Sequence, residues 1–165
     1  MKISILSPKD NCRWDEFLHE NSSGLIYYSS FYRDFLHEVL RDTESLYLFA
    51  EDENKIYGIL PIFFIQGQFG CVANSLPFYG SHGSIITKGE KENRRKAQSL
   101  LIEHALEVCR VRSVVSYTLI NNPLINTDDA DWDSKFDLFD KRIGQFSDLP
   151  QQGSQAAVEA ALLAQ

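Results

Sequence analysis

One short string in the sequence combines two glycines with a hydroxyl and an imidazole: Tyr79-Gly80-Ser81-His82-Gly83. Glycines tolerate positive φ angles, so the string can form an exposed loop that approaches a ligand closely. Adjacent Ser81 and His82 do not by themselves form a nucleophile and its base, because that pairing needs spatial geometry and a third orienting group. Two interpretations stay open: a loop that lines a substrate site, and a tight turn between strands.

Four basic residues stand close together at the start of a predicted long helix. They are Lys91, Arg94, Arg95 and Lys96, and we call them the basic cluster. Positive charges at a helix amino terminus oppose the helix dipole by roughly 0.3–1 kcal/mol each when exposed, so the cluster predicts an anion-binding site. The alternative is a solvated first turn, in which Glu90 and Glu92 offset part of the charge.

Metal chemistry is not predicted, because the ligating residue types lack ligand spacing. The three cysteines, Cys12, Cys71 and Cys109, are scattered and are expected to be reduced thiols packed as small apolar groups. No two histidines stand four residues apart on one helix face. The acidic run over 128–133 lacks the glycine and the final glutamate of a calcium loop.

The charge balance and the hydropathy pattern exclude several classes of protein. The 165 residues include 23 acidic and 16 basic side chains, a formal charge of −7, which argues against a general nucleic-acid coat. No apolar run approaches the ~20 residues of a membrane-spanning helix, and no secretory signal is recognisable. We therefore expect a cytoplasmic protein without a transmembrane segment, built as one globular domain.

The apolar periodicity predicts strands and helices in a layered α/β (α+β) arrangement. A strand over 2–6 precedes a helix over about 11–20 and a second helix that is capped by Ser29-Ser30. Strands over 46–51 and 56–65 form an antiparallel hairpin around a polar turn. Pro61 indicates a bulge or an edge position in the second of them. The second helix is predicted to be a core helix, with an apolar face formed by Phe31, Tyr32, Phe35, Leu36, Val39 and Leu40.

The second half of the sheet is predicted around a long helix. A strand over 69–76 and a short extension over 84–87 precede this helix, which runs over about 92–110. Its predicted buried stripe consists of Ala97, Leu100, Leu101, Ala105 and Val108. A β-branched strand of core type follows over 114–120. From residue 121 onward the composition is typical of loops, with a weak segment over 136–146 and a Gln- and Ala-rich tail.

In addition to this order of elements, six short sequence strings resemble those of a known family. They are WDEF (14–17), SGLIYYSSF (23–31), LFAE (48–51), IYGILPI (56–62), SLPFYG (75–80) and KRIGQFSDLP (141–150). Their order and spacing resemble the FemAB branch of the GNAT acyltransferase superfamily. The resemblance implies a GNAT-like mixed, largely antiparallel sheet flanked by helices. It also implies that residues 1–150 form an N-terminal GNAT-like domain and that 151–165 are a loose tail, or the truncated start of a second such domain.

The resemblance further implies transfer of an acyl or aminoacyl group to an amine. The donor would be acyl-coenzyme A or aminoacyl-tRNA, and the acceptor a nucleotide- or lipid-linked envelope precursor such as that of peptidoglycan. An Arg/Gln-x-x-Gly-x-Gly/Ala cradle for the coenzyme pyrophosphate is degenerate here, because no glycine follows Arg94 and Arg95 at the needed spacing. No catalytic residue is identified, and activity is expected only with a second GNAT-like domain. The alternative is a non-catalytic module that binds a precursor or braces a partner domain.

Overall fold

A computed structural model describes residues 1–76, 82–122 and 135–140. Its helices are α1, α2 and α3, over Asn11–His19, Ser30–Val39 and Lys91–Val111. Its strands are β1 (Lys2–Ile5), β2 (Thr43–Asp52), β3 (Lys55–Gly67), β4 (Gly70–Asn74), β5 (Ile86–Thr87) and β6 (Val114–Thr118). Within these residues, no helix combines the length and the hydropathy needed to cross a lipid bilayer.

The strands form one mixed sheet in the order β1-β2-β3-β4-β6, and β5 pairs with β3 beside β4. All pairings are antiparallel except that of β4 with β6. The parallel pair follows from the connection, because the long helix α3 carries the chain back to the end of the sheet at which β4 begins. The predicted fold class, a largely antiparallel sheet flanked by helices, is confirmed.

Alternating side chains of the sheet supply two apolar layers. On one face, Leu48 and Leu60 pack with the buried side of α3. On the other face, Tyr47 and Phe49 pack with Trp14 of α1 and with other side chains of α1 and α2. Successive strand residues point to opposite faces, so each central strand contributes to both layers. This is why β2 and β3 are buried almost continuously.

A buried carboxylate ties the first strand and helix to the hairpin. Arg13 donates to Glu51 Oε2 at 2.7 Å and to the Asn54 carbonyl at 2.8 Å, and Ser4 donates to Glu51 Oε1 at 2.6 Å. Burial alone would raise the pKa of Glu51, but the hydrogen bonds from Arg13 and Ser4 outweigh it and the pKa lies below its usual value. The hairpin turn itself has positive φ at Glu53 and Asn54, as a type I′ turn requires.

Pro61 does not lie where the sequence predicts. β3 is a central strand, and Pro61 pairs with Tyr47 of the neighbouring strand β2. The extra residue that shifts the β2–β3 register is Tyr57, not Pro61. The Tyr57 carbonyl accepts from the Lys88 N–H on the β5 side. Because backbone groups alternate along a strand, the nitrogen of Pro61 points to that same side. There it falls between the residues paired with β5 (58–59) and those paired with β4 (63–67).

The predicted core face of α2 is only partly buried. The Ser29 cap is confirmed, since its side chain accepts from the Tyr32 N–H, and Leu36 is fully buried. Phe31, Phe35 and Val39 are instead exposed to 75%, 47% and 51%. The six predicted positions span half of the helix circumference, and a helix that lies on a sheet buries a narrower stripe. The prediction of a core helix is therefore wrong for its outer half.

Two predictions for the second half of the sheet also need correction. In α3 the buried residues are Ala97, Leu101, Ile102, Ala105 and Cys109, whereas the predicted Leu100 and Val108 are only half-buried. The β-branched strand β6 is not of core type. It lies last in the strand order of the described residues, and Val115 is exposed. Its composition reflects β-propensity rather than burial.

Candidate functional site

β4 and β5 both pair with β3, and we call the chain between them, residues 75–85, the excursion. Asn74 of β4 faces Phe63, and Ile86 of β5 faces Ile59. Asn74 and Ile86 are twelve residues apart in the sequence, whereas their partners on β3 are only four residues apart. The chain between β4 and β5 is therefore eight residues longer than the stretch of β3 beside it. The excursion leaves the sheet at the carboxyl end of the parallel pair β4 and β6. The carboxyl ends of parallel strands are where open α/β sheets commonly hold ligands.

Hydrogen bonds close the base of this excursion against the end of β6. The Ser75 N–H donates to the Thr118 carbonyl at 2.9 Å, and the Ile120 N–H donates to Ser75 Oγ at 3.0 Å. On the returning side, the N–H groups of Gly83 and Ser84 both donate to the Ile120 carbonyl, at 3.2 and 3.0 Å. The two ends of the excursion are thus held together by one strand end.

Of the five residues predicted to line a substrate, the structure places two at this base. Gly83 is buried, and a Cβ there would lie 2.5 Å from the Ser75 carbonyl oxygen, so only glycine fits. His82 is half-buried, and its Nδ1 has no hydrogen-bond partner within the described part of the chain. Tyr79, Gly80 and Ser81 lie outside the described residues, and their substrate role stays a prediction.

The residues that follow β6 join two further segments, which sequence reasoning missed. Asn121 Oδ1 accepts from Ser84 Oγ at 2.9 Å, and the buried Asn122 donates from Nδ2 to the Ser23 carbonyl at 2.7 Å. Asn122 thereby attaches the connection between α1 and α2 to the strand end. The available signal was an Asn-Asn pair placed directly after a β-branched strand, at the edge where ligands bind.

Tyr28 lies on the same connection and is fully buried. Burial raises the pKa of its hydroxyl, and the neighbouring Asn122 side chain offsets only part of the shift. Within the described residues, the hydroxyl has no partner that meets hydrogen-bond geometry. It therefore stays protonated near neutral pH and is unsuited to act as a general base.

The amino terminus of α3 is preceded by Gly89, which has φ of +105°. The Glu90 cap makes no side-chain hydrogen bond to the helix, and the first amides of any helix have no intrahelical acceptor. Next to this turn, Lys88 pairs with Glu20 at 2.7 Å, and Asn21 Nδ2 donates to the Thr87 carbonyl at 3.2 Å. Backbone amides and a helix dipole at this point are suited to an anion.

The basic cluster occupies the first two turns of α3, but its members do not share one direction. Arg94 donates to the Gly89 carbonyl at 2.9 Å and is half-buried. Lys91 and Arg95 lie on nearly the same side of the helix as Arg94. They stand three residues before and one residue after Arg94, and each residue turns the helix by about 100°. Lys96 lies about 100° beyond Arg95, toward solvent. Anion binding by these four residues stays a prediction.

Comparisons with solved structures decide the fold. A GNAT family acetyltransferase from Staphylococcus aureus aligns with 90% of this chain and 100% of its own at TM-score 0.52 and 13% identity. The chain has the GNAT acetyltransferase fold. A ribosomal-protein-alanine N-acetyltransferase from Brucella melitensis shares it over 88% of this chain and 100% of its own, at TM-score 0.58 and 14% identity. An aminoglycoside 6′-N-acetyltransferase from Acinetobacter haemolyticus covers 90% and 98%, at TM-score 0.51 and 16% identity.

No family model and no curated protein matches the sequence. At such low identity, the solved structures establish the GNAT fold and leave substrates open. The expectation of a GNAT-like architecture is confirmed, and the narrower resemblance to the FemAB branch stays a proposal.

Proposed function

We propose that this chain is a GNAT-type transferase domain that passes an acyl or aminoacyl group to an amine. The observation that carries the proposal is the amino terminus of α3, where the Glu90 side chain does not cap the first amides and Gly89 has a positive-φ conformation, within a GNAT fold. Amides of this kind can hold the phosphates of a nucleotide-bearing donor. The order of strings from WDEF to KRIGQFSDLP favours the FemAB-type specificity, with a peptidoglycan or other envelope precursor as acceptor.

The reaction sets two requirements for the site. The amine must reach the acyl carbon as a free base, so it loses a proton before or during attack. An amide bond then forms while the C–S bond of a thioester, or the C–O bond of an aminoacyl ester, breaks. The departing thiolate or alkoxide takes up a proton. The N–H groups of Gly83, Ser84 and Ile120 are already bonded within the chain, so they do not stabilise the tetrahedral oxyanion in this state.

We further propose that residues 1–150 act together with a second GNAT-like domain. The described residues provide a scaffold and a helix amino terminus suited to an anion, while Tyr28 is unsuited to be the base. Much of the advantage of such an enzyme comes from orienting donor and acceptor, up to ~7–11 kcal/mol in favourable cases. A cleft completed by a second domain would supply this orientation. The reaction would then take place on the cytoplasmic side, where charged tRNA and nucleotide-linked precursors occur.

The test is a transfer assay with the purified chain, alone and mixed with a second GNAT-like domain from a FemAB-type protein. Acetyl-coenzyme A and alanyl-tRNA serve as donors, and UDP-linked and lipid-linked muramyl pentapeptides as acceptors, with mass spectrometry detecting the amide product. We expect product only with the second domain present. Turnover by the chain alone would disprove the requirement for a partner domain. Precursor binding without turnover in any mixture would establish the non-catalytic module instead.

A further inference from the structure

Buried polar atoms without partners gather at the base of the excursion. Among the described residues, five buried side-chain nitrogen or oxygen atoms have no partner that meets hydrogen-bond geometry. Two of them are the hydroxyls of Tyr47 and Tyr117, which pack in the two apolar layers. The other three are Tyr28 Oη, Asn74 Oδ1 and His82 Nδ1, at the end of the sheet from which the excursion leaves. Each unpaired atom costs about 1–3 kcal/mol, so their grouping indicates a polar site rather than a packing accident.

Of these three side chains, only His82 is suited to exchange a proton near neutral pH. A neutral imidazole carries one nitrogen with a free lone pair, whereas the Tyr28 hydroxyl stays protonated and the Asn74 carboxamide does not titrate. Ser75 and Ser84, which help to hold the base together, offer only hydroxyl groups. His82 is half-buried, so part of its ring is open to a ligand.

The backbone beside His82 is fixed by the closure of the excursion. The Gly83 N–H donates to the Ile120 carbonyl at 3.2 Å, and the Gly83 Cα lies so close to Ser75 that a Cβ would meet its carbonyl oxygen at 2.5 Å. Gly83 therefore cannot shift without breaking the closure. A group that transfers a proton must be held in position, and the closure holds His82 at the carboxyl ends of the parallel strands, where ligands commonly bind.

The amino terminus of α3 lies along the same side of β3 as this base. The Lys88 N–H, just before α3, donates to the Tyr57 carbonyl, and Asn74 pairs with Phe63. Six residues of β3, or about 20 Å, therefore separate the turn before α3 from the end of β4. A donor held by its phosphates at α3 reaches His82 through an extended arm, such as the one that carries the thioester of acyl-coenzyme A.

We propose that His82 is the general base of the transfer and acts through Nδ1. The inference rests on the proposed transferase function and supplies the base that the reaction requires. As the C–N bond forms, the amine gives its proton to Nδ1. The C–S bond of the thioester, or the C–O bond of the ester, breaks, and the leaving thiolate or alkoxide takes that proton from the imidazolium. Nδ1 thereby gains the partner that it lacks in the free chain.

The test is the transfer assay described above, with the parent chain or a variant mixed with the second domain. We expect His82→Ala to lower kcat at least about 100-fold, while KM for the acceptor changes less than about threefold. His82→Gln keeps a hydrogen-bonding side chain that cannot take up a proton, and it should be equally slow. Added imidazole should raise kcat of His82→Ala by about tenfold and leave His82→Gln unchanged. His104→Ala, at a half-buried histidine of α3, is the matched control and should keep the parent rate.

Melting temperatures show whether each variant stays folded, and His82→Gln carries the comparison if His82→Ala does not. Turnover by His82→Gln within about threefold of the parent rate would assign a hydrogen-bonding role and overturn the proposal. A folded His82→Ala that imidazole does not restore would overturn it as well. Both outcomes leave the transferase function intact, whereas no turnover by the parent chain in any mixture would overturn that function and the base with it.

Discussion

Replacing Gly83 by alanine should break the closure between the excursion and the end of β6. The new Cβ would lie 2.5 Å from the Ser75 carbonyl oxygen and 2.7 Å from the Ser75 carbonyl carbon and Leu76 Cγ. Two of these neighbours are backbone atoms, so rotation of a side chain cannot relieve the overlap. Either Ser75 or Gly83 must move, and the bonds of Gly83 and Ser84 to the Ile120 carbonyl lengthen as a result.

The expected loss of stability follows from these two effects. Overpacking of this kind costs about 1–3 kcal/mol, and each weakened hydrogen bond adds about 0.5–1.5 kcal/mol. With two such hydrogen bonds we therefore expect a destabilisation of about 2–6 kcal/mol, which lowers the melting temperature by about 4–24 °C for a domain of this size. Amide exchange of Ile120 should also accelerate, because its N–H is bonded to Ser75 Oγ.

Thermal melting and hydrogen exchange measured by mass spectrometry check this prediction. Gly67→Ala is the matched control, because its Cβ would lie 3.4 Å from the nearest atom, the Gly70 carbonyl oxygen, in ordinary contact. That variant should change stability by less than about 0.5 kcal/mol. If Gly83→Ala melts within about 1 °C of the parent chain and its Ile120 amide exchanges equally slowly, the close packing at this base is refuted.

Three other predictions concern ligands and pH. The isolated chain should bind acetyl-coenzyme A more weakly than micromolar, about −8 kcal/mol, because Gly89 is the lone glycine of its degenerate cradle; calorimetry that gives tighter binding would disprove this. Neutralising all four residues of the basic cluster should abolish binding of UDP-linked precursor or tRNA while the melting temperature stays nearly constant, and unchanged binding would favour a solvated turn. Because the pKa of Glu51 is depressed in the fold, its stabilising contribution is present above its unfolded pKa, near 4.5, and is lost as pH falls through the folded value. Urea titrations at pH 7 and below pH 4 should therefore show that the free energy of unfolding falls less on acidification in Glu51→Gln than in the parent chain. An identical fall in both chains would contradict the assigned hydrogen bonds.

Much of the fold could be predicted because local chemistry and tertiary packing agree. The Ser29 cap, the polar turn between the two hairpin strands and the apolar periodicity of α1 each specify one structure. The outer half of α2 could not be predicted, since periodicity identifies apolar positions and does not show how much of a helix circumference a neighbouring layer covers. The position of β6 at the end of the strand order of the described residues was missed for a related reason, because β-branched residues favour strands at edges and centres alike.

The candidate site was less accessible from sequence. His82 and Gly83 were identified as part of a glycine-rich string, but their role at the base depends on the Ile120 carbonyl, a backbone group common to every residue type. Asn122 contacts Ser23 across 99 positions of sequence, and no local pattern encodes such a contact. The predicted domain limits, 1–150 with a tail over 151–165, stay predictions.

Pro61 gives the interrupted strand a consequence of its own. Between its pairings with β4 (63–67) and β5 (58–59), the central strand β3 has no partner on this side among the residues that the structure describes. Any other residue type at position 61 would place an N–H there. A buried donor without an acceptor costs about 1–3 kcal/mol. Proline has no such hydrogen, and Pro61 is buried. Proline at this position therefore avoids a buried, unpaired N–H, so a proline within a long apolar strand can mark the place where the neighbouring strand is interrupted rather than a defect in its own strand.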